Sequence, residues 1–348
     1  MQVQTHGGDI YSKTYRMDFS TNINPLGTPT SVLEAACRGV YQSEHYPDVY
    51  CRDLKSAIAC RECVDEKQII CGNGAAELIF LLAQAVRPVR ALLVSPGFAE
   101  YEQALRSVGC DIIFYEMKEQ DGFILQEDYL KALQDQVDMV FLCNPANPTG
   151  LLIPPELMSR ILERCYEKRI FLVVDECFNS FLEERELHSL VKELQNYPNL
   201  FILKAFTKIY AMAGLRLGYG LCTDEQLLTR MQSCIQPWNV SIPAQRAGIA
   251  AMQEYDFEEE TRRYVTGERM YLKNGLEELG LLCMDSKANY LFFKGPVDLY
   301  DRCSERGILI RNCSNYRGLG EGYFRIAVRT HEENAELLRE LKCILTAD

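Results

Sequence analysis

The chain has 348 residues, 47% of them hydrophobic, enough for about two domains and a sizeable core. A net charge of −12 argues against general affinity for nucleic acid or an anionic membrane, although clustered arginines could still hold a small phosphate. The start MQVQTHGGDI lacks a charged-then-apolar export signal, no apolar run is long enough to span a bilayer, and 15 scattered cysteines suit a reducing compartment, so a cytoplasmic protein is expected.

Cys60-x-x-Cys63 has no second pair at metal-site spacing and reads as ordinary thiols on a helix. A strand near Gln68–Cys71 then feeds Gly72-Asn73-Gly74, and an apolar-periodic helix runs from Ala75 to Val86. Bare amides at a helix N-terminus bind phosphate, which makes Gly74 and Ala75 candidate ligands, although G-x-G alone usually marks a tight turn. A strand at Ala91–Ser95 and a helix at Ala99–Val108 follow.

The strand Met139–Cys143 ends abruptly in NPANPTG, where two Asn-Pro pairs and a glycine turn the backbone. Open α/β sheets bind ligands at such carboxyl ends. Past a helix at Pro155–Lys168, the strand Ile170–Val174 delivers Asp175 to the same edge. A carboxylate there can keep a ring nitrogen protonated, although a lone Asp after a strand more often caps a turn.

The strand Leu200–Leu203 leads into KAFTKIYAMAGLRLGY, which sets Lys208 and Arg216 around a glycine ahead of a strand at Leu217–Cys222. A lysine with an apolar approach loses its proton cheaply and can attack a carbonyl, while a fixed guanidinium can hold a phosphate. That pairing suits pyridoxal phosphate held as a Schiff base. After Pro237 the pattern predicts one long charged helix, roughly Ala244–Leu279, and then shorter strands. The alternation implies an α/β fold with a mainly parallel central sheet covered by helices. Residues 45–235 would form the large domain, and residues 1–44 with 236–348 a smaller α+β domain, the cofactor lying between them.

NPANPTG, the VVDE strand end and the Lys208 segment together resemble the fold-type I pyridoxal-phosphate enzymes of the class I/II aminotransferase superfamily. The segments HGGDIY (His6–Tyr11), DFSTNINPLGTP (Asp18–Pro29), HYPDVY (His45–Tyr50), SPGFAEY (Ser95–Tyr101), ANYLFF (Ala288–Phe293), ILIRNCSNYRGL (Ile308–Leu319) and YFRIAVR (Tyr323–Arg329) narrow it. They resemble the threonine-phosphate decarboxylases of cobamide (vitamin B12-type) synthesis, whose nearest relatives are histidinol-phosphate aminotransferases. The likeness runs from residue 6 to about residue 330.

The resemblance implies a cofactor joined to Lys208, with Asp175 at its ring nitrogen, Asn147 at its phenolic oxygen and Phe98 on its ring face. Gly74, Ala75, Thr207 and Arg216 would surround its phosphate, and Tyr46 would reach that phosphate across a homodimer interface. Substrate contacts fall to His6, Asn22, Asn147, Arg311 and Arg325. Two guanidiniums suit a substrate carrying a carboxylate and a phosphate, and which meets which is open. Arg329 reads as a surface or interface charge.

The chain departs from the family pattern at Ala205 and Ala76, where many relatives carry hydroxyls, and at Phe178, where the family has tyrosine. Each lost bond to a charged group costs about 1.5–3 kcal/mol. The reaction implied is decarboxylation of O-phospho-L-threonine to (R)-1-aminopropan-2-yl phosphate. The alternatives are histidinol-phosphate transamination with 2-oxoglutarate, or a phosphoserine substrate, which one methyl separates only weakly. Reuse of the fold as a non-enzymatic sensor is disfavoured because Lys208, Asp175, Asn147 and Arg216 are all retained.

Overall fold

Largely apolar runs of four to six residues set the strands of the main sheet. The computed structural model describes residues 7–346, so His6 lies outside the described residues. In chain order the strands are β1 (Met17–Asp18), β2 (Ile69–Gly72), β3 (Arg90–Ser95), β4 (Asp111–Glu116), β5 (Met139–Cys143), β6 (Phe171–Asp175) and β7 (Leu200–Ala205). There follow β8 (Gly218–Leu221), β9 (Leu282–Cys283), β10 (Tyr290–Lys294), β11 (Ile308–Leu309), β12 (Arg311–Asn312) and β13 (Tyr323–Ala327).

The main sheet has the order β2-β8-β7-β6-β5-β3-β4, with β8 antiparallel to both its neighbours and the remaining pairs parallel. Its central strands are apolar on both faces because helices cover both. Met139, Phe141, Val173, Phe201 and Leu203 pack with the helices Ala75–Val86, Ala99–Ser107 and Glu225–Cys234. Val140, Leu142, Leu172, Val174 and Ile202 pack on the other side with the helix Pro155–Glu167. A second, antiparallel sheet has the order β12-β13-β10-β9, and β1 pairs in parallel with β11 beside it.

Two features correct the sequence reading. The strand β4 is an additional edge strand, whose half-buried IIFY run is too short and too flanked by charge to stand out. The long charged helix is in fact two, Ile242–Ala251 and Tyr255–Glu278. Turn bonds from the Gln253 and Glu254 amides to the Ala250 and Ala251 carbonyls separate them. The pieces have different partners, the first packing on the helix Thr30–Val40 and the second on the helix His331–Leu345 and β10, so one straight rod could not serve both. Among the described residues no helix is long and apolar enough to cross a membrane.

Candidate active site

A cavity of about 660 Å³ opens at the carboxyl ends of β5, β6 and β7, facing the second sheet. Its lining brings together Asn22, Ala75, Phe98, Asn147, Asp175, Thr207, Lys208, Arg216, Arg311 and Arg325, all singled out by the sequence. Gly7, Ala76, Phe178 and Ala205 line it as well. Tyr46 does not reach it within one chain. That ring is largely exposed and stacks on Trp238 with centroids 4.3 Å apart.

Lys208 sits in the single-turn helix Phe206–Ile209 that follows β7. The NINPLG segment braces this turn from the N-terminal side. The Asn24 amide donates to the Lys208 carbonyl at 3.1 Å, and Asn24 Nδ2 donates to the Ile209 carbonyl at 2.6 Å. Burial pushes the Lys208 amine down to about 8, helped by the nearby Arg325 and Arg216 guanidiniums. Among the described residues its side chain makes no hydrogen bond.

Asp175 ends β6 and is buried, with Cys143 and Leu203 as its register partners. Burial pushes its carboxyl up, against opposing donors from Cys177 and Tyr101. The Tyr101 hydroxyl donates to Asp175 Oδ2 at 2.6 Å and the Cys177 amide to Oδ1 at 2.9 Å. Tyr101 escapes sequence reasoning because a tyrosine in the first turn of the helix Ala99–Ser107 looks like a core aromatic, and it does stack on Phe141. Phe98, one turn earlier, meets Tyr101 edge-on at 5.5 Å.

The helix Ala75–Val86 starts at Gly74 without a side-chain cap, leaving its first amides available to an anion. Gly74 has φ +80°, and a Cβ there would lie 2.5 Å from Arg216 Nη2, so only glycine lets the guanidinium settle over the turn.

Arg311 and Arg325 face each other across the β12–β13 ladder as direct register partners, which places both on one face of the second sheet. Both are 7% exposed. Arg311 Nη2 donates to Asn315 Oδ1 at 2.9 Å. Arg325 donates to Asn147 Oδ1 at 2.5 Å and to the Ser20 carbonyl at 3.2 Å. Tyr316, another residue missed from the sequence, also donates to Asn147 Oδ1 at 3.3 Å. Asn147 thus joins the end of β5 to the second sheet. Arg329 pairs with Glu333 outside this cavity.

The profile of the family described as aminotransferase class I and II matches residues 15–341. The chain belongs to this family. Threonine-phosphate decarboxylase from Salmonella typhimurium is 38% identical to it over 98% of this chain and 96% of that protein. The crystal structure of histidinol-phosphate aminotransferase from Clostridium acetobutylicum superposes with a TM-score of 0.90 at 30% identity, covering 95% of this chain and 100% of that one. That of L-threonine-O-3-phosphate decarboxylase from Porphyromonas gingivalis gives 0.81 at 25% identity, covering 94% and 98%.

As in the rest of this aminotransferase family, the cofactor is pyridoxal 5′-phosphate. The residues present fit it. The uncapped amides beside Arg216 suit a phosphate, and the Lys208 amine gives up its proton more readily than an ordinary lysine. Asn22 Oδ1 and Arg325 Nε are buried without partners.

Proposed function

We propose that this chain decarboxylates O-phospho-L-threonine to (R)-1-aminopropan-2-yl phosphate and carbon dioxide, as a cytoplasmic homodimer serving cobalamin biosynthesis. Residues 45–235 would form one domain and residues 1–44 with 236–348 the other. The observation that carries the reading is the cross-strand pair Arg311 and Arg325, two buried guanidiniums in the same cavity as Lys208. Such a pair matches a substrate bearing a carboxylate at one end and a phosphate at the other. The 38% identity to a threonine-phosphate decarboxylase over nearly the whole chain supports the same choice.

Pyridoxal phosphate supplies a carbonyl for the substrate amine and an electron sink for the bond that breaks. In this reading Asp175 holds its ring nitrogen, with the Tyr101 hydroxyl fixing the carboxylate, and Phe98 covers the ring. Gly74, Ala75, Thr207 and Arg216 hold its phosphate, joined by Tyr46 of a second copy. Arg311 and Arg325 orient the substrate's two anions, with Asn22, His6 and Asn147 beside them. Lys208, with its proton loosely held, returns a proton to the substrate α-carbon after carbon dioxide leaves.

A second reading, histidinol-phosphate transamination, is favoured by the 0.90 superposition. The loaded protein is incubated with phosphothreonine, or with histidinol phosphate plus 2-oxoglutarate, and carbon dioxide and glutamate are measured. Carbon dioxide from phosphothreonine is expected. Glutamate from histidinol phosphate, with no gas from phosphothreonine, would reverse the choice.

A further inference from the structure

The arginines of the cavity differ in depth. Arg311 and Arg325 are buried and already bonded to Asn315, Asn147 and the Ser20 carbonyl. Arg317 also lines the cavity, but its side chain is 47% exposed, which sets it at the rim. It belongs to the connection between β12 and β13, which reaches across from the second sheet to the main one.

There the Ser95 hydroxyl donates to the Arg317 carbonyl at 2.6 Å, pinning the backbone. The guanidinium lies over the Phe114 ring, 4.1 Å from its centroid, and Nη2 pairs with Glu102 Oε1 at 2.8 Å. Phe114 and Glu102 are themselves cavity-lining. Glu102 has a second cation, Arg106, also at 2.8 Å. Release of Arg317 would therefore leave no stranded carboxylate, which keeps the exchange of partners cheap.

We propose that Arg317 is a specificity-determining residue at the cavity mouth, drawing in the doubly charged phosphate ester and exchanging its Glu102 partner for it. This rests on the reading that the substrate carries a phosphate ester. A chain with net charge −12 repels such an anion at long range. An exposed guanidinium at the rim offsets that repulsion locally and passes the ester toward the buried pair. A planar fork held over a ring and by Glu102 is also preorganised to grip a phosphate in two-point fashion.

The test measures kcat and KM of the cofactor-loaded enzyme for O-phospho-L-threonine at low and physiological salt, for wild type, Arg317→Gln and Arg317→Lys. Arg317→Gln is expected to raise KM about tenfold, to change kcat far less, and to flatten the salt dependence of kcat/KM. Arg317→Lys should recover the salt dependence but only part of the KM. The cofactor's absorption spectrum should stay as in wild type. A KM and salt slope unchanged in Arg317→Gln would overturn the proposal, as would a fall in kcat and cofactor content together, which marks a purely structural role. If wild type releases no carbon dioxide, the decarboxylase reading has failed separately. The same variants are then read with histidinol phosphate, whose ester group puts the same demand on Arg317.

Discussion

Lys208 owes its loosely held proton to crowding more than to any one neighbour. Burial does most, Arg325 and Arg216 add to it, and Cys177 and Asp175 oppose it. Between about 8 and 10.5 the folded protein binds less of that proton than the unfolded chain does, so stability rises with pH through this window. Below the window the cost of the buried cation is fully in force. Lys208→Met removes that cost. In the cofactor-free protein its gain in melting temperature should be large at pH 7 and vanish towards pH 10.5, and equal gains by calorimetry at both pH values would contradict this. At this scale Lys208 and Asp175 stand out from their own strand-end patterns, whereas Asn22, Phe98, Arg311 and Arg325 stand out only through the family resemblance of their segments. Tyr101, Tyr316 and Asn24 stay hidden because their partners Asp175, Asn147 and Ile209 are brought near only by the fold.

At the scale of elements, register does what spacing along the chain cannot reveal. Arg311 and Arg325 become neighbours only because β12 and β13 pair antiparallel at those positions. The central strands of the main sheet are legible because helices on both sides let them be apolar throughout. The edge strand β4 lacks that signature, and a continuous helical pattern gives no warning of a break at Gln253, where the two halves change partners. The turn after β2 gives the sharpest element-level test. Gly74→Ala forces a side chain into a backbone at φ +80° and ψ 159° that is essentially reserved for glycine, a strain of about 1–3 kcal/mol, and drives its Cβ into Arg216. Cofactor affinity should fall about tenfold. Titrating the cofactor-free variant with pyridoxal phosphate measures it, and an unchanged affinity would refute the role given to this turn.

For the whole molecule, the exposed Tyr46–Trp238 stack is the feature that one chain does not use in its own cavity. If each Tyr46 serves the neighbouring copy, then Lys208→Ala and Tyr46→Ala chains are each deficient alone but complement when mixed. Random pairing should restore about a quarter of wild-type activity, because half the dimers are hybrids with one complete site. No recovery after unfolding and refolding the two together would argue that the sites are self-contained.

Behind the cavity, the residue after Asp175 is also an acid. Glu176 is fully buried, accepts from Ser189 and from the Leu190 amide, and lies 3.6 Å from Lys204, which in turn pairs with Glu62 at 2.8 Å. Strand geometry sends adjacent side chains to opposite faces, so these neighbouring carboxylates have unrelated duties. A single inserted or deleted residue in β6 would exchange their faces, turning a glutamate toward the cavity and an aspartate toward the side of Lys204. A substitution on one face of this strand therefore disturbs one of the two neighbourhoods, whereas any change in its length disturbs the cavity and the underlying ion network in one stroke.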